Sequence, residues 1–141
     1  MIAVIEREDP SLCFFLGDGE RDLAAVAERF PVLPFYAVRG NCDIRSKLSA
    51  SLSCVVGGVR IFACHGHQYN VKYESVPESL LSAAREARAD AALFGHTHCP
   101  YCAQIDGVTL LNPGSAGRGE HPCYGVLWIE DGVIRAGLKT L

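Results

Sequence analysis

The sequence predicts an α/β fold, a layered sandwich of two β-sheets flanked by helices. Two early apolar runs, 11–17 and 33–39, end at or near glycines and have the composition of strands buried on both faces. Between them, residues 20–30 place apolar side chains at helical spacing. Later in the chain, two Asp-Gly turns indicate antiparallel hairpins. We therefore expect the 141 residues to form one domain over 1–141.

The N-terminal residues 1–6, MIAVIE, fit two structures equally well. Their composition is typical of a strand. The positions of Ile2 and Ile5, followed by an acidic tail, also fit the end of an amphipathic helix. Both alternatives stay open at the level of the sequence.

Turn and breaker residues set the order of the other elements. Pro31 ends the helix 20–30, and Gly57 with Gly58 turns a hairpin. The pairs Asp106-Gly107 and Asp131-Gly132 are the strongest short hairpin signals in the chain. The elements predicted beyond residue 50 are strands 51–56 and 59–64, a helix over 75–89 with Ser75 as its N-cap and Pro77 in its first turn, a strand at 91–95, and the hairpins 101–106 with 108–112 and 124–130 with 133–141.

Composition excludes several classes of protein. Hydrophobic residues make up 49% of the chain and charged residues 21%, which is typical of a globular protein with a sizeable core. The net charge is −3, and no block of like charge indicates a nucleic-acid patch. The sequence contains no run of 18 apolar residues, so it predicts no membrane span. The N-terminus turns acidic too early for a secretory signal.

The seven cysteines are an odd number, and most lie inside apolar runs, as Cys13, Cys54 and Cys64 do. This usage is typical of buried thiols in a reducing compartment rather than of a disulfide framework. We therefore expect a cytoplasmic protein.

Polar side chains follow four of the predicted strands, one step past or beside a glycine. These residues are Asp18, Asn41, His65, His96 and His98. In α/β sheets, ligands bind at the carboxyl ends of the strands, so we expect these side chains to lie close together. Oxygen and imidazole ligands in combination suit Mn, Fe, Zn or Ni rather than calcium. The pattern therefore predicts a metal site at this edge of the sheet.

Five short motifs carry a resemblance to a known family. In order along the chain they are GDGERD (17–22), GNCD (40–43), HGHQYN (65–70), GHTH (95–98) and LNPGS (111–115). Each motif is weak alone, but the ordered set covers essentially the whole chain. It resembles the calcineurin-like metallophosphoesterases, most closely the small bacterial and archaeal phosphodiesterase branch that includes Vps29.

The resemblance implies a divalent-metal-dependent phosphoesterase, with phosphodiesters as the expected substrates. Two metals would share a bridging carboxylate, Asp18, and a hydroxide would attack the phosphorus in line. Asn41, His65 and His96 would complete the ligands of one metal, and His98 would bind the other.

Two further residues of the GNCD motif are expected to take part in catalysis together with the Asn41 amide. Many relatives have a histidine where this chain has Cys42, and a thiol is a poorer proton donor to an alkoxide, so good leaving groups should be favoured. Asp43 is expected to orient its neighbours.

One departure from the family affects the expected metal content. Relatives begin with a strand that ends in Asp-x-His, whereas Asp9 is the only aspartate here before Asp18 and no histidine precedes His65. We therefore expect about 20 residues, one strand and half a helix, to be missing. The metal position formed by Asp18 and His98 should then bind its ion weakly or stay empty, and hydrolysis should be reduced.

The missing strand has two further expected consequences. Its neighbours would keep unpaired backbone groups, which MIAVIE could pair with, or the chain would self-associate as a homo-oligomer. The alternative function is a catalytically impaired, Vps29-like binding scaffold. A scaffold, however, would have little reason to keep five ligands.

Other signals were weaker. CPYC (99–102) matches a redox motif, but such a cysteine belongs at a helix N-terminus and this one precedes a strand. A compact zinc site could combine these cysteines with His96 and His98, although the spacing is tight. His67 fits either a phosphate contact or a surface hydrogen bond. The lone basic residues Lys72 and Arg118 fit either substrate binding or a solvated loop.

Overall fold

The computed structural model describes residues 1–117 and 121–141, so Arg118 lies outside the described residues. The helices are α1 (Ile2–Glu8), α2 (Glu20–Arg29) and α3 (Glu78–Glu86), with a single 3-10 turn at His67–Tyr69. The strands are β1 (Cys13–Phe15), β2 (Phe35–Ala37), β3 (Ser51–Val56), β4 (Val59–Cys64), β5 (Ala91–Leu93), β6 (Tyr101–Ile105), β7 (Val108–Asn112), β8 (Cys123–Glu130) and β9 (Val133–Thr140).

A five-stranded sheet in the order β3-β4-β5-β7-β6 forms the centre of the fold. Its inner pairs, β4 with β5 and β5 with β7, are parallel, and its outer pairs are antiparallel. Two smaller sheets accompany it, the parallel pair β1-β2 and the antiparallel hairpin β8-β9. The predicted α/β class is therefore confirmed, with the second sheet present as two separate pairs in the part of the chain that is described.

The central sheet contributes side chains to a hydrophobic cluster on each of its faces, since successive side chains of a strand point to opposite faces. On one face, Phe62 and Leu110 pack against Leu80 and Leu81 of α3. On the other face, a cluster contains buried residues of the central sheet and half-buried residues from β1, the residue after it and the β8-β9 hairpin: Ile61, Ala63, Leu93 and Leu111 with Phe14, Leu16, Leu127 and Ile134. This explains why β5, and β4 apart from Arg60, are apolar without alternation.

The three predicted hairpins are present, and β3 and β4 have the predicted bounds. Their turns use Gly57-Gly58, Asp106-Gly107 and Asp131-Gly132, each with positive φ at both positions. This is the backbone conformation that two-residue hairpin turns require. The hairpin positions were therefore predicted by local chemistry alone.

The helix predicted over 75–89 is shorter than expected, and its predicted N-cap is wrong. It begins at Glu78, with Pro77 as the N-cap residue rather than Ser75. The carboxylate of Glu74 instead accepts hydrogen bonds from Ser79, at 3.1 Å from the backbone nitrogen and 2.5 Å from Oγ. An upstream carboxylate therefore accepts a free backbone donor of the first turn, the role predicted for the side chain of Ser75.

The N-terminal segment forms a helix, so the strand alternative for MIAVIE is wrong. Ile5 is buried, and Glu8 in the last turn contacts the closing hairpin. Its carboxylate accepts hydrogen bonds at 2.6 Å from both Lys139 Nζ and Tyr124 Oη, and Arg7 also donates to Tyr124. α1 is therefore anchored on β8-β9, while β1 pairs with β2 alone within residues 1–117 and 121–141.

None of the described helices is long and apolar enough to cross a membrane.

Candidate metal centre

Four of the five predicted metal ligands converge at the carboxyl ends of strands. Asp18 and Asn41 follow β1 and β2, and His65 and His96 follow β4 and β5. His65 lies between the others: its Nε2 atom is 3.1 Å from Asn41 Oδ1, 3.3 Å from Asp18 Oδ2 and 3.2 Å from His96 Nδ1. The site therefore joins the β1-β2 pair to the central sheet.

The tautomer of His65 follows from its second ring nitrogen. Nδ1 lies 2.6 Å from the carbonyl oxygen of Leu16, which can only accept, so Nδ1 carries the proton. In the neutral ring, Nε2 then presents a lone pair to the Asp18 carboxylate and to the amide oxygen of Asn41. In that form three acceptor atoms, His65 Nε2, Asp18 Oδ2 and Asn41 Oδ1, face one another, an arrangement that a proton or a metal cation among them would stabilise.

The spacing of these donor atoms matches that of ligands around one ion. With bonds of about 2.1 Å, neighbouring ligand atoms lie about 3.0 to 3.4 Å apart in octahedral or tetrahedral geometry. The spacings around His65 Nε2 fall in that range. Among the described residues no three His, Cys, Asp or Glu side chains form a preformed metal-binding group. The donor atoms therefore fit a metal site in which Asn41 is a necessary ligand and the side chains adjust their positions when the ion binds.

Asp18 is held in an unusual backbone conformation by the loop that follows β2. Its φ is 61°, in the left-handed region, which costs a non-glycine residue energy. Its Oδ1 accepts a hydrogen bond from the backbone N–H of Cys42 at 2.8 Å, which leaves Oδ2 facing His65. The carboxylate of Asp43 in turn accepts the backbone N–H of Asp18 at 2.8 Å. The two loops therefore position each other.

The carboxylate of Asp43 accepts three more backbone donors, from Gly19, Glu20 and Gly40. Partial burial opposes its ionisation, but the four N–H groups outweigh that effect and hold the pKa of Asp43 below its ordinary value. Asp43 is therefore an ionised acceptor at neutral pH rather than a proton donor.

The GHTH turn is held by a buried asparagine. Asn112, fully buried at the end of β7, donates to the carbonyl of Gly95 at 3.0 Å and to Thr97 Oγ1 at 2.9 Å. Its Oδ1 accepts from the N–H of Gly114. Asn112 therefore links the GHTH turn to the segment that follows β7.

His96 and His98 both have left-handed backbone conformations, with φ of 67° and 59°, but their side chains diverge. His96 contacts His65, whereas His98 is exposed. In the described residues no hydrogen bond, ion pair or ring contact joins His98 to the other ligands. Among the described residues, His96 therefore belongs to the cluster around His65 and His98 does not, and the assignment of the two histidines to different metals stays a prediction.

Burial and a nearby cation keep His96 neutral. Burial, followed by the charge of Lys72, lowers the pKa of His96 to about 4, against a smaller opposing effect of Asp18. A neutral imidazole is the form that binds metals. His96 is therefore available as a ligand over the whole physiological pH range.

His67 is the residue whose place in the site the sequence left open. Its ring lies 5.4 Å from that of His65 and 6.1 Å from that of His96, measured between centroids. Its Nδ1 atom is buried and has no hydrogen-bond partner among the described residues. Burial lowers its pKa. His67 therefore lies beside the predicted ligands rather than on the surface.

Sequence reasoning missed two contributions to this site. The carbonyl of Leu16 fixes the ring of His65, but a backbone carbonyl leaves no trace in the residue type. Lys72 acts on His96 from the turn after the 3-10 helix, where the sequence shows only a lone basic residue. Val71, its neighbour, approaches Gly66, and this contact brings Lys72 near the site.

The CPYC motif lies outside the cluster. Cys99 and Cys102 are both exposed free thiols, and Cys102 belongs to β6 rather than to a helix N-terminus. The compact zinc site with His96 and His98 is not formed by the described residues. The sequence was therefore correct to place a strand after this motif.

The fold and the site define an α/β protein with a polar ligand cluster at the carboxyl edge of its strands. Comparison with known proteins identifies the family. Residues 1–132 match the calcineurin-like phosphoesterase superfamily domain, so the chain belongs to that superfamily. It is 31% identical over 118 residues, or 81% of its length, to the probable metallophosphoesterase YsnB of Bacillus subtilis (strain 168). The chain spans only 64% of the length of YsnB.

Solved structures share this fold. A predicted phosphoesterase from Streptococcus pneumoniae TIGR4 superposes with a TM-score of 0.80 at 26% identity, covering 98% of this chain and 79% of that one. An archaeal phosphodiesterase gives 0.70 at 20% identity, covering 98% and 88%. Vps29 of Entamoeba histolytica, solved with zinc, gives 0.71 at 20% identity, covering 99% and 89%. At that identity the last two show the fold alone.

Proposed function

We propose that this protein is a divalent-metal-dependent phosphoesterase that hydrolyses phosphodiesters. The observation that carries the proposal is the convergence of Asn41 Oδ1, His96 Nδ1 and Asp18 Oδ2 on His65 Nε2, at 3.1, 3.2 and 3.3 Å, a spacing that fits the ligands of one ion. Superfamily membership supports the same chemistry. The name of the archaeal neighbour favours phosphodiesters as the substrate class.

Asp18, Asn41, His65 and His96 would hold the metal. When bound, the metal supplies Lewis-acid activation of water and of the phosphoryl group. Mn²⁺ is our first candidate, with Ni²⁺, Fe²⁺ and Zn²⁺ as alternatives, since mixed oxygen and imidazole ligands suit all four. The Leu16 carbonyl would keep the lone pair of His65 Nε2 directed at the ion.

Cys42 is the candidate proton donor to the leaving group. It follows Asn41 directly, it is exposed, and the amide of Asn41 contacts its Sγ atom at 3.4 Å. Since a thiol protonates an alkoxide poorly near neutral pH, we expect a preference for esters with acidic leaving groups, such as phenols.

Of the five predicted ligands, only Asp18 and His98 would bind a second metal. The exposure of His98 and its separation from the cluster support weak binding at that position. We therefore propose one tightly held metal and one weak or empty position in this chain, with reduced turnover.

Metal titration and hydrolysis test the proposal together. Calorimetry with Mn²⁺, Ni²⁺, Fe²⁺ and Zn²⁺ should give about one tight site, which His65→Ala abolishes and His98→Ala leaves intact. Hydrolysis of bis(p-nitrophenyl) phosphate should require metal and should exceed that of the monoester. His121→Ala, in an exposed loop, is the matched control. Absence of a tight site would contradict the proposal.

The scaffold alternative makes a different prediction for the same experiment. A scaffold that has kept its ligands would bind the metal but show no hydrolysis with any of the four ions. Three earlier predictions remain predictions: one domain over 1–141, a cytoplasmic location and a homo-oligomer acting on a small phosphoester.

A further inference from the structure

We infer that Asp43 is the positioning residue that sets the geometry of both oxygen ligands, Asp18 and Asn41, an inference that rests on the proposed function. Its carboxylate accepts four backbone N–H groups from two separate loops. One oxygen binds Asp18 and Gly40, each at 2.8 Å. The other binds Gly19 at 3.1 Å and Glu20 at 3.4 Å. One side chain therefore fastens the loop after β1 to the loop after β2.

The two fastened loops touch through their backbones. A Cβ atom at Gly17 would lie 2.5 Å from the nitrogen of Gly40, and one at Gly40 would overlap Asp18 Oδ1. Loops at such close approach cannot shift independently. The position of Asn41, which follows Gly40, is therefore set relative to Asp18 by the same contacts that Asp43 maintains.

Asp43 also replaces a missing helix cap. Helix α2 begins after Gly19, which has no side chain to cap the free donors of the first turn. The Asp43 carboxylate accepts from Gly19 and Glu20 at this helix end, where negative charge is favourable. Asp18 directly precedes the cap, so the start of α2 and the strained backbone of Asp18 depend on one carboxylate.

An amide cannot replace this carboxylate. Both oxygens of Asp43 accept, and asparagine has one acceptor oxygen and one NH₂ donor of nearly the same shape. In Asp43→Asn the NH₂ group would face either Asp18 and Gly40 or Gly19 and Glu20, donor against donor. One of the two loops would then be released, and the ligand that it carries would move.

The test compares Asp43→Asn with wild type by Mn²⁺ calorimetry and by the visible absorption spectrum of the Co²⁺-loaded protein. We expect Mn²⁺ affinity to fall about 10- to 100-fold, as is typical for groups that orient metal ligands, with an altered Co²⁺ spectrum. Asp90→Asn is the matched control. Its carboxylate accepts the backbone N–H of Arg60 at 2.7 Å at the start of β5, the end opposite His96. It should lose stability but keep affinity and spectrum.

Asp43→Glu keeps the charge and both acceptors but lengthens the side chain, so it guards against a variant that fails to fold. It should show a smaller loss of Mn²⁺ affinity and a shifted Co²⁺ spectrum. If either folded Asp43 variant binds Mn²⁺ and Co²⁺ as wild type does, the inference is overturned while the proposed function stands. If wild type itself binds neither ion, both are overturned.

Discussion

Two regions of the molecule use the same costly backbone conformation for different ends. In the hairpin turns, Asp106 and Asp131 have φ of 48° and 50°, and each is followed by a glycine. In the candidate metal centre, Asp18, His96 and His98 have φ between 59° and 67° without a hairpin turn. The turns use the left-handed region to reverse the chain, as their residue types predict. At the site the left-handed conformation orients side chains, and tertiary contacts offset its conformational energy.

The difference is in what supports the strain. The hairpin turns are supported by the ladders of the strands that they join. The strained site residues rely on hydrogen bonds with distant parts of the chain: the N–H of Asp18 donates to the Asp43 carboxylate, and Asn112 donates to the GHTH turn. Substitutions in the two regions should therefore affect different properties, stability alone in the turns and metal binding as well at the site.

The largest effect is expected from Gly40→Ala compared with Gly107→Ala. The new Cβ at Gly40 would overlap the Asp18 carboxylate, so we expect about 3 kcal/mol of destabilisation and loss of metal binding. Gly107 has φ of 83° and no atom within 4 Å of the added Cβ, so its alanine should cost about 1–2 kcal/mol with unchanged affinity. Urea unfolding and Mn²⁺ calorimetry measure both. Equal effects on metal binding would remove the distinction.

Asn112→Ala should destabilise the protein by about 2–3 kcal/mol, because it leaves buried backbone groups around the GHTH turn without partners. Metal affinity should fall as His96 loses its support. Thr97→Val sharpens the comparison, since it removes one partner of Asn112 and leaves the bond to Gly95. Chemical denaturation with metal titration would detect the difference; a stability loss without any affinity loss would contradict it.

The pH dependence of stability should report the neutral state of His96. Its pKa is lowered to about 4 in the folded protein, below the unfolded value of 6.5. The unfolded chain therefore binds the proton first, so this stability is present above pH 6.5 and is lost as pH falls toward 4. Because His96 is partly exposed and solvent screens its charge, we expect a loss of only about 1–2 kcal/mol over that window with EDTA present. His96→Gln should flatten the curve, and an unchanged slope would count against it.

The smallest effect is expected far from the site, where α1 meets the β8-β9 hairpin. Tyr124→Phe removes the hydroxyl that links Arg7 and Glu8, and we expect about 1 kcal/mol of destabilisation. Metal affinity should not change, because this contact supports no ligand. A change in Mn²⁺ affinity in this variant would show that the two regions are coupled.

The parts of the fold that local chemistry determines were predictable. Gly57-Gly58 and the Asp-Gly pairs located three hairpins, and apolar runs ending in glycine located β1, β2 and β5. The start of α3 was wrong because Glu74 accepts from Ser79 in place of a Ser75 cap. MIAVIE was ambiguous because its helix depends on Lys139 and Tyr124, more than 100 residues away.

At the site, residue types indicated which side chains would meet but not how they would be aimed. Asp18, Asn41, His65 and His96 follow strands whose ends share an edge, so their convergence was predictable. The divergence of His98 from His96 was implied by the family resemblance alone. Asp43 was assigned only a general orienting role, because its four partners are backbone groups that any sequence supplies.

The position of His65 between two groups of strands has a consequence for the motions of the molecule. Asp18 and Asn41 extend from the β1-β2 pair, whereas His65 and His96 extend from the central sheet, with which that pair shares no ladder among the described residues. A cation held by all four would act as a cross-link between these two groups of strands. We expect removal of the cation by chelation to speed amide hydrogen exchange in β1 and β2 and to leave β4 and β5 protected. The exchange rates of the amides of Cys13–Phe15 would then report whether the ion is bound.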